Sequence, residues 1–214
     1  MNFVDPAHAY FRRAQFVLSA PNIHDLPPDD SIEIAVVGRS NVGKSSVLNA
    51  LCDQRGLART SRTPGRTQHI VVFDLAQGRR LLDLPGFGYA AVQRTLRAHW
   101  GELVPRVLQE RRGLVGLLLL ADARAPLKEE ELGLVNWCLQ SGVPVQLALN
   151  KADKLNREAA LKAIRLLQTS LRSMGVAAAP VLVSATTKAG IDQLRGVLHA
   201  WYEEGLKKGP GLNT

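Results

Sequence analysis

The segment from Gly38 to Ser45, with the sequence GRSNVGKS, restricts the possible folds of this chain more than any other. It follows an apolar run over Ile32–Val37 and precedes a helical pattern that begins at Ser46. This order of strand, glycine-rich loop and helix has the G-x-x-x-x-G-K-S spacing of a phosphate-binding P-loop. Loop N–H groups at a helix N-terminus attract anions. The alternative, a glycine-containing turn that binds nothing, is disfavoured because the spacing and both flanking elements are complete.

The residues of this loop have distinct predicted roles. Lys44 can reach the β- and γ-phosphates of a nucleotide, and the Ser45 hydroxyl can bind Mg²⁺. Gly38 and Gly43 allow the backbone to come close to the ligand. The same phosphate cradle includes Arg39, Ser40, Asn41 and Val42. The loop alone does not distinguish ATP from GTP, or a kinase from a switch.

Alternation of apolar strands and amphipathic helices predicts the fold class. Three strands are expected near residues 114–121, 143–149 and 178–183, and helices follow near 128–140, 157–173 and from 191 onward. Such alternation predicts an α/β fold in which helices cover both faces of a mostly parallel sheet. Residues 69–75 and 80–84 are two further strands joined by a tight turn, which predicts an antiparallel hairpin. The sheet therefore has one antiparallel strand.

Helical periodicity selects the residues expected to face this sheet. In the order of the chain the apolar stripes are Leu96, Trp100, Leu103 and Val107; Leu161, Ile164, Leu167 and Leu171; and Ile191, Leu194, Leu198 and Trp201. Residues 14–19, which precede the first strand of the sheet, read either as a short strand or as a helical turn. We expect residues 1–30 to be an N-terminal extension packed on a domain of residues 31–205, and 206–214 to be a basic flexible tail.

Composition indicates the kind of partner. The chain has 214 residues, 46% of them hydrophobic, and a formal net charge of +8. This charge suggests an anionic partner such as RNA, DNA or an acidic membrane surface. The alternative is that the basic residues serve only solubility or the nucleotide.

The compartment follows from the cysteines and the apolar segments. Cys52 and Cys138 have no metal-ligand spacing and lie in apolar helical patterns, so we expect buried, reduced thiols. The most apolar segment, residues 114–121, is too short to span a bilayer. The N-terminus carries Asp5 and Pro6 rather than the pattern of a signal peptide. We expect a cytoplasmic monomer that does not insert into membranes.

The run Asp83-Leu84-Pro85-Gly86 ends the second strand of the predicted hairpin. A nucleotide-bound Mg²⁺ needs a carboxylate to complete its shell, and Asp83 can supply it through water. Gly86 can turn its N–H toward a γ-phosphate because it has no side chain. The motif is short, but its place after a P-loop makes it informative.

A third run, Asn150-Lys151-Ala152-Asp153, follows an apolar strand. The Asp153 carboxylate can accept hydrogen bonds from N1–H and the amino group of guanine, a donor pair that adenine lacks. Asn150 can connect loops, and the aliphatic part of Lys151 can cover the base. The alternative is a turn with a helix cap. After the last strand, small residues allow a backbone N–H to reach guanine O6; they are Ser184, Ala185 and Thr186.

The polar loop of residues 53–68 has no hydrophobic period, and it contains Thr63 and Thr67. A loop hydroxyl that binds Mg²⁺ only while the γ-phosphate is present makes a two-state switch. Spacing alone does not choose between the two threonines.

Together these motifs resemble those of a translation-factor-type GTPase, and more narrowly those of the bacterial EngB family, also called YihA or YsxC. The resemblance is carried by Gly38–Asn41, Thr63–Gln68 and Asp83–Ala90, and it extends from Gln15 to Trp201. It implies the three-layer, Ras-like fold of P-loop GTPases. It also implies a GTP- and GDP-binding protein needed for cell division and septation and associated with assembly of the large ribosomal subunit.

The resemblance also assigns residues. It makes Thr67 rather than Thr63 the Mg²⁺ threonine, and it places K⁺ near Asn41. Mg²⁺ would be held by Ser45, Thr67 and, through water, Asp83. Lys44, Thr67 and Gly86 would act in catalysis. Nucleotide contacts are implied for Gly65, Arg66, Thr67, Gln68 and His69.

Phe87 departs from the Ras pattern, in which a glutamine at this place orients the attacking water. Phe87 has no hydrogen-bonding group, so we expect slow GTP hydrolysis that a partner, K⁺ or another group accelerates. Gln68 and His69 are candidate substitutes. Two alternatives remain: a GTPase that acts on a septum or membrane-associated protein, and a P-loop kinase or ATPase. The second leaves Asp153 unexplained.

Overall fold

The computed structural model describes residues 6–59, 69–87, 103–125, 127–176 and 178–209. These residues form one seven-stranded sheet with helices on both faces. The strands are β1 (Gln15–Ala20), β2 (Ile32–Gly38), β3 (Ile70–Asp74), β4 (Arg79–Asp83), β5 (Leu114–Asp122), β6 (Val145–Asn150) and β7 (Val181–Leu182). The helices are α1 (Pro6–Phe11), α2 (Lys44–Leu51), α3 (described over residues 103–110), α4 (Glu129–Gln140), α5 (Arg157–Ser173) and α6 (Ile191–Lys208).

The sheet has the strand order β1-β3-β4-β2-β5-β6-β7. Strand β3 pairs antiparallel with both β1 and β4, whereas the pairings from β4 through β2, β5 and β6 to β7 are parallel. The predicted α/β class, the hairpin and the one antiparallel strand are therefore confirmed. Because the other strands share a direction, their carboxyl ends meet along one edge of the sheet.

Two hydrophobic clusters cover the two faces of the sheet. One cluster contains buried residues of α3, α4 and α5, such as Val104, Val135 and Leu171. The other contains buried residues of α1, α2 and α6, such as Leu48 and Leu198. Strand β2 is buried along its whole length, so the strand that leads into the P-loop lies in the centre of the core.

Helix α5 corrects one prediction about the core. Leu167 and Leu171 are buried as expected, but Leu161 is 46% exposed. The reason is the place of the helix: it lies between β6 and β7 in the chain, and β7 has only two residues. There is less sheet to cover here than the period of the helix suggests. In α6, Tyr202 is fully buried while the predicted Trp201 is half-buried, and its ring lies against Gly116.

The N-terminal segment adds a strand to the edge of the sheet. Residues 15–20 form β1, which resolves the earlier ambiguity in favour of a strand. Before it, Tyr10 and Phe11 pack against Tyr202 of α6, with the Tyr10 and Tyr202 rings edge to face at 5.9 Å. The division into extension, domain and tail stays a prediction.

Leu96 and Trp100 lie outside the described residues. No helix in the described ranges has the length and apolarity to cross a membrane.

Both cysteines are fully buried, Cys52 after the end of α2 and Cys138 in α4. Burial raises the pKa of each thiol to about 12, because the thiolate cannot be hydrated there. At pH 8 both thiols therefore stay protonated and unreactive. We expect Ellman's reagent to modify neither cysteine of the native protein within minutes, and to titrate two thiols after unfolding in guanidinium chloride. Rapid reaction of the native protein would contradict this burial.

Candidate nucleotide site

The predicted motifs meet at the carboxyl edge of the parallel strands. Gly38 ends β2, Asp83 ends β4, Asn150 ends β6, and Ser184 follows β7. Since neighbouring strands are in register, residues far apart in the chain become neighbours; for example, Asp122 pairs with Asn150. Ligands of open α/β sheets bind at this edge.

The P-loop owes its shape to two glycines. At Gly38, a Cβ would lie 2.6 Å from the Leu120 carbonyl oxygen on β5, so only glycine fits between the strands. Gly43 has a φ of +93° and stands immediately before α2, which begins at Lys44. Asn41 also has a positive φ, of +64°. The first N–H groups of α2 thus face the loop, where a phosphate would find a partial positive charge.

Lys44, the first residue of α2, forms an ion pair with Asp83 at the end of β4. Burial raises the pKa of Asp83, and Lys44 opposes this effect by favouring the carboxylate. Asp83 and the hydroxyl of Ser45 offer oxygen ligands of the kind that Mg²⁺ prefers, so the donor set fits that ion. A nucleotide would require Lys44 to turn from Asp83 to the phosphates.

The segment after Asp83 runs beside the P-loop. Phe87 donates its N–H to the Gly38 carbonyl at 3.3 Å and accepts from the Ser40 N–H at 2.9 Å. A Cβ on Gly86 would lie 3.4 Å from the Ser40 hydroxyl, so this glycine adjoins the loop. The Phe87 side chain is 4% exposed and belongs to the core cluster of α3. It is a packing residue and offers no hydrogen bond to a water molecule.

Asn150 connects three parts of the site. Its Nδ2 donates to the Val42 carbonyl at 2.9 Å, and its Oδ1 accepts from the Ala185 N–H at 3.3 Å. The side chain is buried, and its bond to Val42 is protected from water. The P-loop and the segment after β7 are therefore held to one another through the end of β6.

Asp153 is oriented by Ser184. The Ser184 hydroxyl accepts from the Thr187 N–H at 3.1 Å, so its proton is free to donate to Asp153 Oδ1 at 2.7 Å. This hydrogen bond, with help from Lys154, holds the pKa of the Asp153 carboxyl below its usual value. Lys151, with a φ of +66°, and Ala152, which begins a 3₁₀ turn, lie between β6 and Asp153. They form the tight loop that presents the Asp153 carboxylate.

Asp122 was missed in the sequence, because the predicted strand ended at Ala121. Its carboxylate bonds Lys151 Nζ at 3.0 Å and Arg124 Nη2 at 2.7 Å. The bond from Arg124 and the neighbouring Lys151 lower the pKa of Asp122. Lys151 Nζ also donates to the Asn41 carbonyl at 2.7 Å, so Asp122 helps to hold Lys151 over the P-loop. The sequence feature that could have identified Asp122 is a carboxylate at the end of a parallel strand.

The remaining predicted residues are less connected to the site. Thr186 is exposed beside Ala185. His69 Nδ1 lies 3.2 Å from the Ser19 hydroxyl, so the ring is bonded to the edge strand β1. Five further predicted residues belong to the polar loop of residues 53–68 and lie outside the described residues; they are Thr63, Gly65, Arg66, Thr67 and Gln68.

Comparison with known proteins assigns the family. A family model described as "50S ribosome-binding GTPase" matches residues 33–151. The "Probable GTP-binding protein EngB" of Coxiella burnetii (strain CbuG_Q212) is 43% identical over 202 residues, which cover 94% of this chain and 98% of the relative. The chain belongs to the EngB family. The EngB protein of Hamiltonella defensa subsp. Acyrthosiphon pisum (strain 5AT) is 45% identical over 90% of this chain and 94% of its own length. The resemblance inferred from the motifs is thus confirmed.

Solved structures confirm the fold. A crystal structure of a probable GTP-binding protein engB has a TM-score of 0.66 at 19% identity, covering 80% of this chain and 99% of its own. Era in complex with MgGDPNP and nucleotides of 16S ribosomal RNA has a TM-score of 0.58 at 22% identity, covering 80% of this chain and 57% of its own. At these identities the likeness establishes the architecture alone, and that architecture is the P-loop GTPase fold.

Proposed function

We propose that this EngB-family protein is a GTP/GDP switch that hydrolyses GTP slowly and acts on the large ribosomal subunit, in support of normal cell division. The observation that carries the nucleotide assignment is the connection through Asn150. This side chain joins the P-loop to the segment that presents Asp153, so a phosphate end and a base end belong to one site.

The base end selects guanine. The Asp153 carboxylate, already oriented by Ser184, accepts from N1–H and the amino group of the base. The Ala185 N–H, which donates to Asn150 Oδ1 in this structure, belongs to the segment where guanine O6 would bind. The aliphatic stem of Lys151, held by Asp122 and Asn41, covers one face of the base.

The phosphate end holds and polarises the γ-phosphate. Lys44 and the loop N–H groups of Arg39 to Ser45 bind the phosphates, and the Gly86 N–H turns toward the γ-phosphate. Ser45 and Thr67 would bind Mg²⁺ directly and Asp83 through water. The ion supplies positive charge to the transferring phosphoryl group. Hydrolysis is slow because Phe87 packs in the core where other GTPases place a water-orienting glutamine.

Several groups are available to accelerate this step. A partner or a K⁺ ion near Asn41 can add positive charge, and Gln68 or His69 can orient water. His69 would first have to leave Ser19. For the partner, support comes from the net charge of +8 and from the family description. We also propose that the protein is a cytoplasmic monomer.

Two binding measurements test this function. Fluorescence titration should show much tighter binding of GDP than of ADP; tighter ADP binding would refute the GTPase assignment in favour of an ATPase or kinase. Sedimentation with purified large ribosomal subunits should show association that depends on the nucleotide and weakens as salt rises. Absence of association at low salt in every nucleotide state would refute the ribosomal role and leave a septal or membrane protein as the partner.

The choice of Thr67 as the switch threonine has its own test. Thr67→Ala should leave GDP affinity within about twofold and weaken binding of a non-hydrolysable GTP analogue roughly tenfold or more, because a Mg²⁺ ligand is lost only in the triphosphate state. Thr63→Ala is the matched control, and we expect it to bind both nucleotides like the natural protein. Equal effects of the two substitutions would contradict the assignment.

A further inference from the structure

Helix α5 exposes positive charge that the fold does not neutralise. Four of its cations face solvent, and its one acid is Glu158. None of the four has an ion pair within the part of the chain that the structure describes; they are Arg157, Lys162, Arg165 and Arg172. Some exposed cations elsewhere are paired, as in Arg106 with Glu110 and Lys188 with Asp53.

These cations lie on one surface of the helix. The steps from 157 to 161, 165 and 172 follow the period of 3.6 residues, so the residues form a row about 22 Å long, with Lys162 beside it. Leu161, which is 46% exposed, lies within this row, and Leu166, which is 62% exposed, lies at its margin beside Lys162. We call it the α5 face: Arg157, Leu161, Lys162, Arg165, Leu166 and Arg172. Leu167 and Leu171 hold the opposite side of the helix in the core.

We propose that the α5 face is the surface that docks on ribosomal RNA, an inference that rests on the proposed ribosomal function. Three of its four cations are arginines, whose planar guanidinium binds phosphate through two hydrogen bonds. A row of about 22 Å can meet several phosphates of a nucleic-acid strand. The two exposed leucines offer apolar contact to bases or riboses. Membrane binding would need a broad apolar face, and the broad apolar face of α5 is buried.

The α5 face is rigidly connected to the base end of the nucleotide site. Asp153 precedes the helix by four residues, and the Leu155 N–H donates to the Ala152 carbonyl at 3.1 Å. Asn156 then caps the helix, its Oδ1 accepting from the Ala159 N–H at 2.8 Å. A loop this short and bonded fixes the direction of α5, so RNA on this surface would lie beside the guanine-binding loop.

The test compares two charge-matched variants. The α5 variant carries Arg157→Gln, Lys162→Gln, Arg165→Gln and Arg172→Gln, since glutamine keeps the helix propensity. The control variant replaces four other exposed cations without a described ion pair, namely Arg13, Arg55, Arg112 and Lys207, by Gln. Each loses four charges, from +8 to +4. Circular dichroism and GDP affinity, which we expect to be unchanged, establish that both variants fold.

Binding is measured to purified large ribosomal subunits, to RNA extracted from them and to phosphatidylglycerol vesicles. Between about 50 and 200 mM salt, four phosphate contacts account for a roughly 50- to 150-fold loss of affinity. We expect the natural protein and the control variant to lose affinity to this extent as salt rises. The α5 variant should bind more weakly at low salt, and its affinity should not show this decrease with salt. Equal weakening of both variants, or an α5 variant that binds subunits normally, would overturn the proposal.

Two further outcomes separate this proposal from the proposed function. If the natural protein binds no subunits, the ribosomal role fails, and binding to the extracted RNA then tests the α5 face. The α5 proposal stands if only the α5 variant loses RNA binding, and it is refuted otherwise. If the α5 variant loses vesicle binding but keeps RNA binding, the surface serves membranes and the proposal is refuted.

Discussion

Replacing Asp153 by asparagine is expected to change the preferred base from guanine to xanthine. The carboxylate would accept two hydrogen bonds from guanine, whereas an amide would accept one from N1–H and donate one to the carbonyl that xanthine carries at position 2. We expect GDP affinity to fall roughly 100-fold or more, because a site built to pair a polar group rejects a ligand that leaves it unpaired. Xanthosine diphosphate should bind more tightly than GDP.

Ser184 should hold the side chain of residue 153 in the same orientation after the substitution. Its hydroxyl donates to Asp153 Oδ1 and would donate equally to the amide oxygen of asparagine, so the side chain keeps its orientation. Titration with fluorescent GDP and xanthosine diphosphate measures the ratio. Glu158→Gln is the control, since it removes one nearby exposed carboxylate without touching the site. A variant that still prefers GDP would show that Asp153 does not read the base.

The parts of the site that could be predicted are those that local sequence determines. A P-loop joins a strand to a helix within one continuous segment, so Gly38, Gly43 and Lys44 are recognisable without knowledge of distant residues. The same holds for the hairpin of β3 and β4, because a short turn leaves only an antiparallel pairing.

The parts that could not be predicted depend on distant partners. Asp122 reaches Lys151 only because β5 and β6 pair in the register observed. Glu33 stands in an otherwise apolar strand and is fully buried, because Arg111, 78 residues away, donates to it through Nε at 2.8 Å. For Leu161, periodicity gives the face of a helix but not the area of sheet that the face covers.

Gly43→Ala should disable the site by a different route, through the backbone. At a φ of +93° an alanine is strained by about 1 to 2 kcal/mol. Its Cβ would also come closer than 3.0 Å to Asn150 Nδ2, so Asn150 must move and its bond to Val42 is lost. Loss of that buried bond adds about 1 to 3 kcal/mol. We expect a matching decrease in the free energy of unfolding and a fall in GDP affinity of roughly 100-fold or more.

Gly175→Ala separates strain from crowding. Gly175 has nearly the same φ, +88°, but a Cβ there meets nothing within 4 Å. Urea unfolding should show only the strain of about 1 to 2 kcal/mol in this variant, with GDP affinity unchanged. If the two variants lose nucleotide affinity to the same extent, crowding of Asn150 is not the cause. If neither loses it, the tie between the P-loop and Asn150 has no part in holding the nucleotide.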